Sequence, residues 1–471
     1  MSTPNTHYGA QRIEKLLRGC RHLFFIGIGG VSMSSLAEMS RLRGYTVSGS
    51  DRGVSAITEK LEKDGIKVFY GHDGGHLVGV DAIVYTVAIG EDNPEYAEAK
   101  RVGIPLISRA DYLGYIMTSW KNRIGIAGMH GKSTCTSMCA AIWLAAMADP
   151  TVVSGASYAP MGGYYRIGKG KSFVFEACEY MDSFLDFNPT TAVILNVELE
   201  HVDYFGSIER IRESYGKFAA ITGEGGRIIY NADDENAEMS VAGLPGEKIT
   251  FGLDRAKNPD FTAINIDISS GRPSFDIEKG GKYLCHVDMR VSGKHNIYNA
   301  LAAAAAADSD GISPEAIAKG LGEFSGAGRR MEYRGRLNGS ELYDDYGHHP
   351  TEVKATLEGA RGLCGGRDLV CVFQPHTYSR TAALFEDFAA ALSTADRVYL
   401  APIYAARETD DLGVSSAKLA EAIGEKARSA QTLDELAKIL EQDVRANDLT
   451  LIMGAGNIVD IFGKLERTDV K

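Results

Sequence analysis

Several features that would mark a secreted, membrane-embedded or nucleic-acid-binding protein are missing from this chain. Its seven cysteines are an odd number, Cys20, Cys135, Cys139, Cys178, Cys285, Cys364 and Cys371, and no two are spaced as CxxC. Free thiols in a reducing compartment are therefore expected rather than a disulfide framework. No stretch approaches the ~18 apolar residues of a membrane span. The opening MSTPNTHYGAQRIEKLL has no apolar core of a secretory signal. Basic residues are outnumbered, 50 against 62, and the net charge of −12 leaves no overall basic footprint for nucleic acid. Low-complexity tracts and short repeats are absent as well. These absences predict a cytoplasmic protein that binds neither nucleic acid nor membrane.

What is present reads as an α/β protein. The length of 471 residues suggests about three domains. Short apolar runs alternate with longer helical patterns, the signature of βα units on parallel sheets. The first segment, 1–119, opens with the strand-like HLFFI running into glycines. The second, 120–322, opens with NRIGIAGMHGKST and later holds the helix-forming NALAAAAAAD. The third, 323–471, carries the strand-like runs DLVCVFQ, RVYLAPI and LTLIMGAG. No Pro- or Ser-rich linker marks either boundary.

Gly128-Met129-His130-Gly131-Lys132-Ser133-Thr134 lies between an apolar strand and a helix. Such a turn lets backbone N–H groups approach a triphosphate, and the helix N-terminus adds positive potential. Lys132 would neutralise phosphate charge and the Ser133 hydroxyl would ligate Mg²⁺. The spacing departs from a strict P-loop, since Ile126 stands where that pattern has its first glycine. Glu176, at the end of FVFEAC, and His201, after TTAVILNVELE, would reach the same sheet edge.

Near the N-terminus, Gly27-Ile28-Gly29-Gly30-Val31-Ser32 resembles a GxGxxG fingerprint whose last glycine is Ser32, with Asp51 a further ~20 positions on. Either a dinucleotide or the diphosphate of a UDP-sugar fits such a turn. In the third segment, titratable groups crowd the string Tyr343-Asp344-Asp345-Tyr346-Gly347-His348-His349-Pro350-Thr351-Glu352. A second cluster, Gln374-Pro375-His376-Thr377-Tyr378-Ser379-Arg380, offers an arginine able to hold a carboxylate.

The strings GIGGVSMS, SGSD, GMHGKST, EACEYMDSFL, NVELEHVDY, GKHNIYNA, RRMEYRG, DDYGHHPTEV, FQPHTYSRT and MGAGN occur in the order of the Mur ligases, which the chain resembles over essentially its whole length. The resemblance implies three domains: an N-terminal Rossmann-like UDP-binding domain, a central P-loop ATPase-type domain and a C-terminal Rossmann-like domain that presents an amino acid. It implies ATP and Mg²⁺ as cofactors, and UDP-N-acetylmuramate and L-alanine as small-molecule partners. A monomer or homodimer is expected. Gly27, Gly29, Gly30, Val31, Ser32, Met33, Asp51, Thr86 and Arg166 would face the UDP-sugar. Residues 128–134 with Asn296, Asn299, Arg330 and Asp345 would face ATP. Ser133, Glu176 and His201 would hold the metal, and Tyr346, His376 and Arg380 the amino acid. The catalytic group would comprise Lys132, His201, Tyr346, His348 and Arg380. Departures from the family pattern are Ser32 and Ser35 in place of glycines, Cys178 in place of a carboxylate, Glu200 in the Asp-His pair, and Thr377 for arginine. Lys217 lies in the neighbourhood where other members carry a carbamylated lysine, a feature not expected here.

The implied reaction is ligation. Phosphorylating a carboxylate turns a poor electrophile into an acyl phosphate, which a neutral amine then attacks. Because an acyl phosphate hydrolyses in water, domain closure around it is expected. Three rivals remain open on sequence: ligation of a preformed peptide, a silent Mur-like binding protein, and an NAD-dependent oxidoreductase.

Overall fold

The computed structural model describes residues 3–199, 202–406, 408–409 and 411–470. The chain divides into two compact units, Met1–Thr262 with Leu301–Gly320, and Ala263–Ala300 with Leu321–Lys471. The expected boundary near residue 119 falls inside the first unit, between two of its sheets.

The first of these sheets contains β1 (His22–Ile26), β2 (Thr46–Asp51), β3 (Lys67–Tyr70), β4 (Ala82–Tyr85) and β5 (Leu106–Ser108), in the order β3-β2-β1-β4-β5, and every pairing is parallel. Leu23, Phe24, Phe25 and Ile26 of β1 are all buried, as a strand covered on both faces requires. The order reverses direction between β1 and β4, so the carboxyl ends of these strands form the crevice where such sheets take ligands.

The second sheet of this unit uses β6 (Asn122–Ala127), β7 (Thr151–Tyr158), β8 (Gly163–Arg166), β9 (Ser172–Glu176), β10 (Thr191–Ile194), β11 (Arg227–Asn231) and β12 (Glu247–Gly252). Its order is β12-β11-β10-β6-β9-β7-β8, and only β8 runs antiparallel to its neighbour. The helix Lys132–Ala145 follows β6 and is buried along most of its length. Its backbone is approached so closely that a Cβ on Gly320 would lie 2.4 Å from the Ile142 Cα. The Ala-rich helix His295–Ser309 forms as predicted, and the division between the units falls within it, at Ala300.

The strand β13 (Phe261–Asp267) carries the chain into the second unit. There β14 (Ser274–Lys279) and β15 (Lys282–Asp288) form an antiparallel hairpin. A six-stranded sheet follows from β16 (Glu332–Leu337), β17 (Ser340–Asp345), β18 (Asp368–Phe373), β19 (Arg397–Leu400), β20 (Ala427–Ser429) and β21 (Asp448–Met453). Its order is β16-β17-β21-β18-β19-β20, with only the β16–β17 pair antiparallel. Among the described residues no helix is long and apolar enough to cross a membrane.

Candidate active site

In the first unit the predicted phosphate turn joins β6 to the helix Lys132–Ala145. Gly131 caps that helix at φ 83°, a left-handed conformation that glycine adopts without strain. The turn is clipped from the adjacent β10 end by one side chain. Asn196 Oδ1 accepts from the His130 amide at 2.8 Å, and its Nδ2 donates to the His130 carbonyl at 3.1 Å. The Met129 amide reaches the Asn196 carbonyl at 3.3 Å. The Met129 side chain is buried in the core, so only its backbone faces the turn.

Lys132 Nζ donates to the Gly128 carbonyl at 2.5 Å, the Met129 carbonyl at 3.1 Å and Glu179 Oε2 at 3.0 Å. Burial pulls its pKa down, but the Glu179, Cys178 and Glu176 charges outweigh that and raise it above the usual lysine value. Ser133 Oγ donates to Glu176 Oε2 at 2.8 Å, and the Gly155 amide donates to the same oxygen at 2.7 Å. Parallel pairing of β6 with β9 sets Ile126 opposite Glu176 and brings that carboxylate to the turn. Hydroxyl and carboxylate oxygens side by side are hard donors of the kind Mg²⁺ takes, so this pair fits the expected ion. His201 lies outside the described residues, and Thr134 is half-buried in the first turn of the helix Lys132–Ala145.

The N-terminal turn is built on the same plan. The Gly27 and Ile28 amides donate to the Ser50 carbonyl, and the Gly29 amide donates to Asp51 Oδ2 at 2.8 Å. A Cβ on Gly29 would lie 2.8 Å from that oxygen and 2.9 Å from Thr58 Cγ2, so any side chain there would push Asp51 or Thr58 out of place. Gly30 precedes the helix Val31–Leu42. Thr86, at the end of β4, flanks Gly27 across the switch point, where a Cβ on Gly27 would meet its Cγ2 at 2.7 Å. Ser32 Oγ accepts from Arg109 Nη1 at 3.2 Å. The Met33 side chain is buried beneath the helix.

Arg166 is the exception to the expected set. It pairs with Asp149 at 2.5 Å, and its neighbours 167–171 face Met39, Leu42 and Arg43 at the far end of the helix Val31–Leu42. A 12-residue helix is about 18 Å long, so the structure does not bring Arg166 to the glycine turn.

In the second unit the predicted residues gather at the carboxyl ends of β17, β18 and β21. Tyr346 and His348 rings are 5.4 Å apart, His348 and His376 5.8 Å, and His376 stacks on Tyr404 at 5.5 Å. Arg380 Nη1 lies 3.4 Å from His376 Nδ1. Burial, then the nearby His348 and Arg380, push the His376 pKa down to about 4, so its imidazole is neutral at physiological pH. Arg329 and Arg330 guanidiniums lie 5.0 and 5.4 Å from the Tyr346 ring centroid. His348 is tied to Glu352, whose Oε2 accepts its amide at 3.0 Å and lies 3.4 Å from its Nδ1. Both Asp345 oxygens accept backbone amides, from Met331 at 2.9 Å and Gly347 at 2.8 Å, so this carboxylate fastens the end of β17. Arg330 pairs with Glu352 at 3.8 Å. Asn296 Nδ2 donates to the Ser292 carbonyl at 2.7 Å, and Asn299 Nδ2 to Asn296 Oδ1 at 3.0 Å. All of these except Asn299 and Asn296 stand on or beside one sheet edge.

Five contributors were missing from the sequence-derived set: Glu179, Asn196, Arg109, Glu352 and Tyr404. Glu179, Asn196 and Glu352 stand inside motif strings already singled out, EACEYM, NVELE and DDYGHHPTE, but nothing in spacing says which of them turn inward. Arg109 and Tyr404 belong to no such string.

Comparison with known proteins agrees with this plan. Family models for the Mur ligase catalytic, middle and glutamate-ligase domains match residues 22–121, 126–307 and 329–456. A UDP-N-acetylmuramate–L-alanine ligase of Agathobacter rectalis is 45% identical over 93% of this chain and 96% of its own. One from Acetivibrio thermocellus is 43% identical over 94% of both. Among solved structures, the UDP-N-acetylmuramate–alanine ligase of Thermotoga maritima superposes with a TM-score of 0.78 at 28% identity, covering 94% of this chain and 97% of the other. A murein peptide ligase of Psychrobacter arcticus gives 0.72 at 25% identity, covering 94% and 98%. With all three family domains matched in order and relatives aligned almost end to end, the chain belongs to the Mur ligase family.

Proposed function

We propose that the protein ligates L-alanine to the lactyl carboxylate of UDP-N-acetylmuramate with cleavage of ATP to ADP and phosphate, a cytoplasmic step in peptidoglycan precursor synthesis. The observation that carries the reading is the buried Lys132 in a strand–turn–helix beside the Ser133–Glu176 pair, in a chain 45% identical to an alanine-adding relative.

The division of labour follows residues 1–119, 120–322 and 323–471. The first turn takes the UDP diphosphate at the N-terminus of the helix Val31–Leu42, on the amides of residues 31–33, with Gly27, Gly29 and Gly30 giving it room, Asp51 and Thr86 bordering it and Arg109 adding charge. The second turn, residues 128–134, takes the ATP phosphates on the amides of 131–134 at the start of its helix, with Asn296, Asn299, Arg330 and Asp345 assigned to the nucleotide. Ser133 and Glu176, with His201, would hold Mg²⁺, which when bound offsets phosphate charge. Lys132, fixed at a helix N-terminus, does the same for the transferring phosphoryl group; such transfer needs chiefly positioning and charge stabilisation. A lactyl oxygen attacks the γ-phosphorus and ADP leaves. The alanine nitrogen then attacks the acyl carbon, phosphate leaves, and the nitrogen gives up a proton.

Arg380 takes the alanine carboxylate in a charge-assisted contact. Neutral His376 accepts a hydrogen bond from the amino group. Tyr346 and His348 close the other side, and His348, oriented by Glu352, is placed to receive the proton. Phosphate release with ATP, Mg²⁺ and UDP-N-acetylmuramate, screened across amino acids and the preformed tripeptide, tests this. Release dependent on L-alanine is the expected result, and release with tripeptide alone would replace it with the peptide-adding reading.

A further inference from the structure

The first unit carries a second concave site that neither glycine turn uses. A cleft of about 510 Å³ is lined by Met39, Leu42, Trp120 and Ile167, and by Arg43, Lys121, Lys169 and Lys171, with no carboxylate among its lining residues. In a chain of net charge −12, four cations around one hollow are a local inversion of sign. None of the four pairs with a carboxylate among the described residues. Arg43 Nη2 donates to the Ile116 carbonyl at 2.7 Å and Ser119 Oγ at 2.6 Å, and Lys171 Nζ reaches only the Asp310 carbonyl at 3.4 Å. The acids that contact the 166–172 segment, Asp149 and Asp310, are already committed. Asp149 binds Arg166 and the Lys169 amide; the Asp310 carboxylate takes Ser172, Asn122 and the Trp143 indole.

The lysines stand on a fixed backbone. Gly168 and Gly170 of the Gly-Lys-Gly-Lys loop press against the 148–150 segment so tightly that a Cβ on either would lie 2.1 Å from a carbonyl oxygen there. Glycine is required at both positions, and the loop presents Lys169 and Lys171 to the cleft.

The cleft lies away from both turns. It sits at the C-terminal end of the helix Val31–Leu42, whereas the first glycine turn is at its N-terminal end. Lys121 and Lys171 precede β6 and β9, whose opposite ends carry the second turn and Glu176; a six-residue strand separates the two by about 20 Å.

We propose that this cleft binds a small phosphorylated ligand with a planar or apolar body. The volume suits a small molecule, the apolar floor with Trp120 takes the body, and the four cations take the phosphate. A ligand there touches residues 119–121, the connection between the two sheets of the unit, and so is placed to regulate them together.

The sequence supplies its own reporter. The chain has two tryptophans, and Trp143 is fully buried, so a ligand in the cleft acts on Trp120. The full-length protein would be titrated with phenyl phosphate and with inorganic phosphate, following tryptophan fluorescence. Expected is a saturable change with phenyl phosphate, about tenfold tighter than inorganic phosphate, weakening with salt. Lys169→Gln with Lys171→Gln should loosen it about tenfold, as two exposed charge contacts allow. Lys132→Ala should leave it unchanged, and Trp120→Phe should abolish the signal. Absence of a saturable change overturns the proposal, as does a change lost in Lys132→Ala but kept in the double variant. A response confined to anionic phospholipid vesicles, which carry the same phosphate on a lipid, overturns it too.

Discussion

Replacing Glu179 by glutamine tests whether the Lys132 ammonium is held by a buried charge pair. Both side chains are inside the protein, at 13% and 1% exposure, with 3.0 Å between Nζ and Oε2. Removing one member of such a pair strands the other and costs about 3–5 kcal/mol. Lys132 keeps the Gly128 and Met129 carbonyls in Glu179→Gln, so the lower end, about 3 kcal/mol, applies. Lys132→Ala strands the Glu179 carboxylate at similar cost. In the double variant neither charge is stranded, so its cost should fall below the sum of the single costs by at least about 2 kcal/mol. Because the folded-state pKa of Lys132 is raised above 10.5, the ammonium's contribution is fully present below that pH and is lost as pH rises into strong alkali. Urea unfolding of the full chain, followed by tryptophan fluorescence, reads the first unit, where both tryptophans lie. Costs that add within about 0.5 kcal/mol would refute the coupling. Phosphate release should drop by at least about a hundredfold in both variants lacking Lys132, as expected when a preorganised charge-stabilising donor is lost.

Asn196→Ala unclips both polar groups of His130; it should cost about 1–3 kcal/mol in urea unfolding and raise the KM for ATP more than it lowers kcat. Gly29→Ala forces a Cβ against Asp51 and Thr58 and should abolish calorimetric binding of UDP-N-acetylmuramate while sparing that of ATP. Burial, against the opposing pull of His7, raises the Asp186 carboxyl to about 6 from 3.8, so the folded state holds its proton longer than the unfolded chain. Its contribution is favourable below the unfolded value and is lost as pH rises through about 6. Asp186→Asn should therefore stabilise the first unit above that pH by up to about 3 kcal/mol, with the gain vanishing near pH 4, in urea titrations across pH. His376, at about 4, has the opposite sign: it stays neutral down to acid pH, so His376→Gln should raise the KM for L-alanine without shifting the pH profile between about pH 5 and 8.

The parts of the fold and site that could be read from sequence are those in which local chemistry dictates geometry. The stretches LFFI and IGIA became buried cores of parallel strands because only a strand covered on both faces tolerates consecutive apolar residues. The turns after them followed from glycine, since Gly131 takes a left-handed cap and Gly29 leaves no space for a side chain. Asp51 was found because its distance along the chain from the turn is set by one helix and one strand, and it does meet the Gly29 amide.

Long-range pairings have no such periodicity. Glu179 meets Lys132 only because β9 lies next to β6, and the chain immediately after Glu179 bends through Met181 and Asp182 at positive φ, which no pattern of residue types announces. Asn196 is one of several polar residues in its string; it becomes a clamp because β10 flanks β6 on the other side. Arg166 failed in the instructive direction. Its residue type suits a diphosphate, but the register of β8 against β7 pairs it with Val152, at the edge where Asp149 waits. An arginine suited to the first turn did exist in the sequence, Arg109. It became visible only once β5 had placed the start of the helix Arg109–Met117 beside Ser32, which makes strand order, rather than motif content, the information that a single sequence withholds.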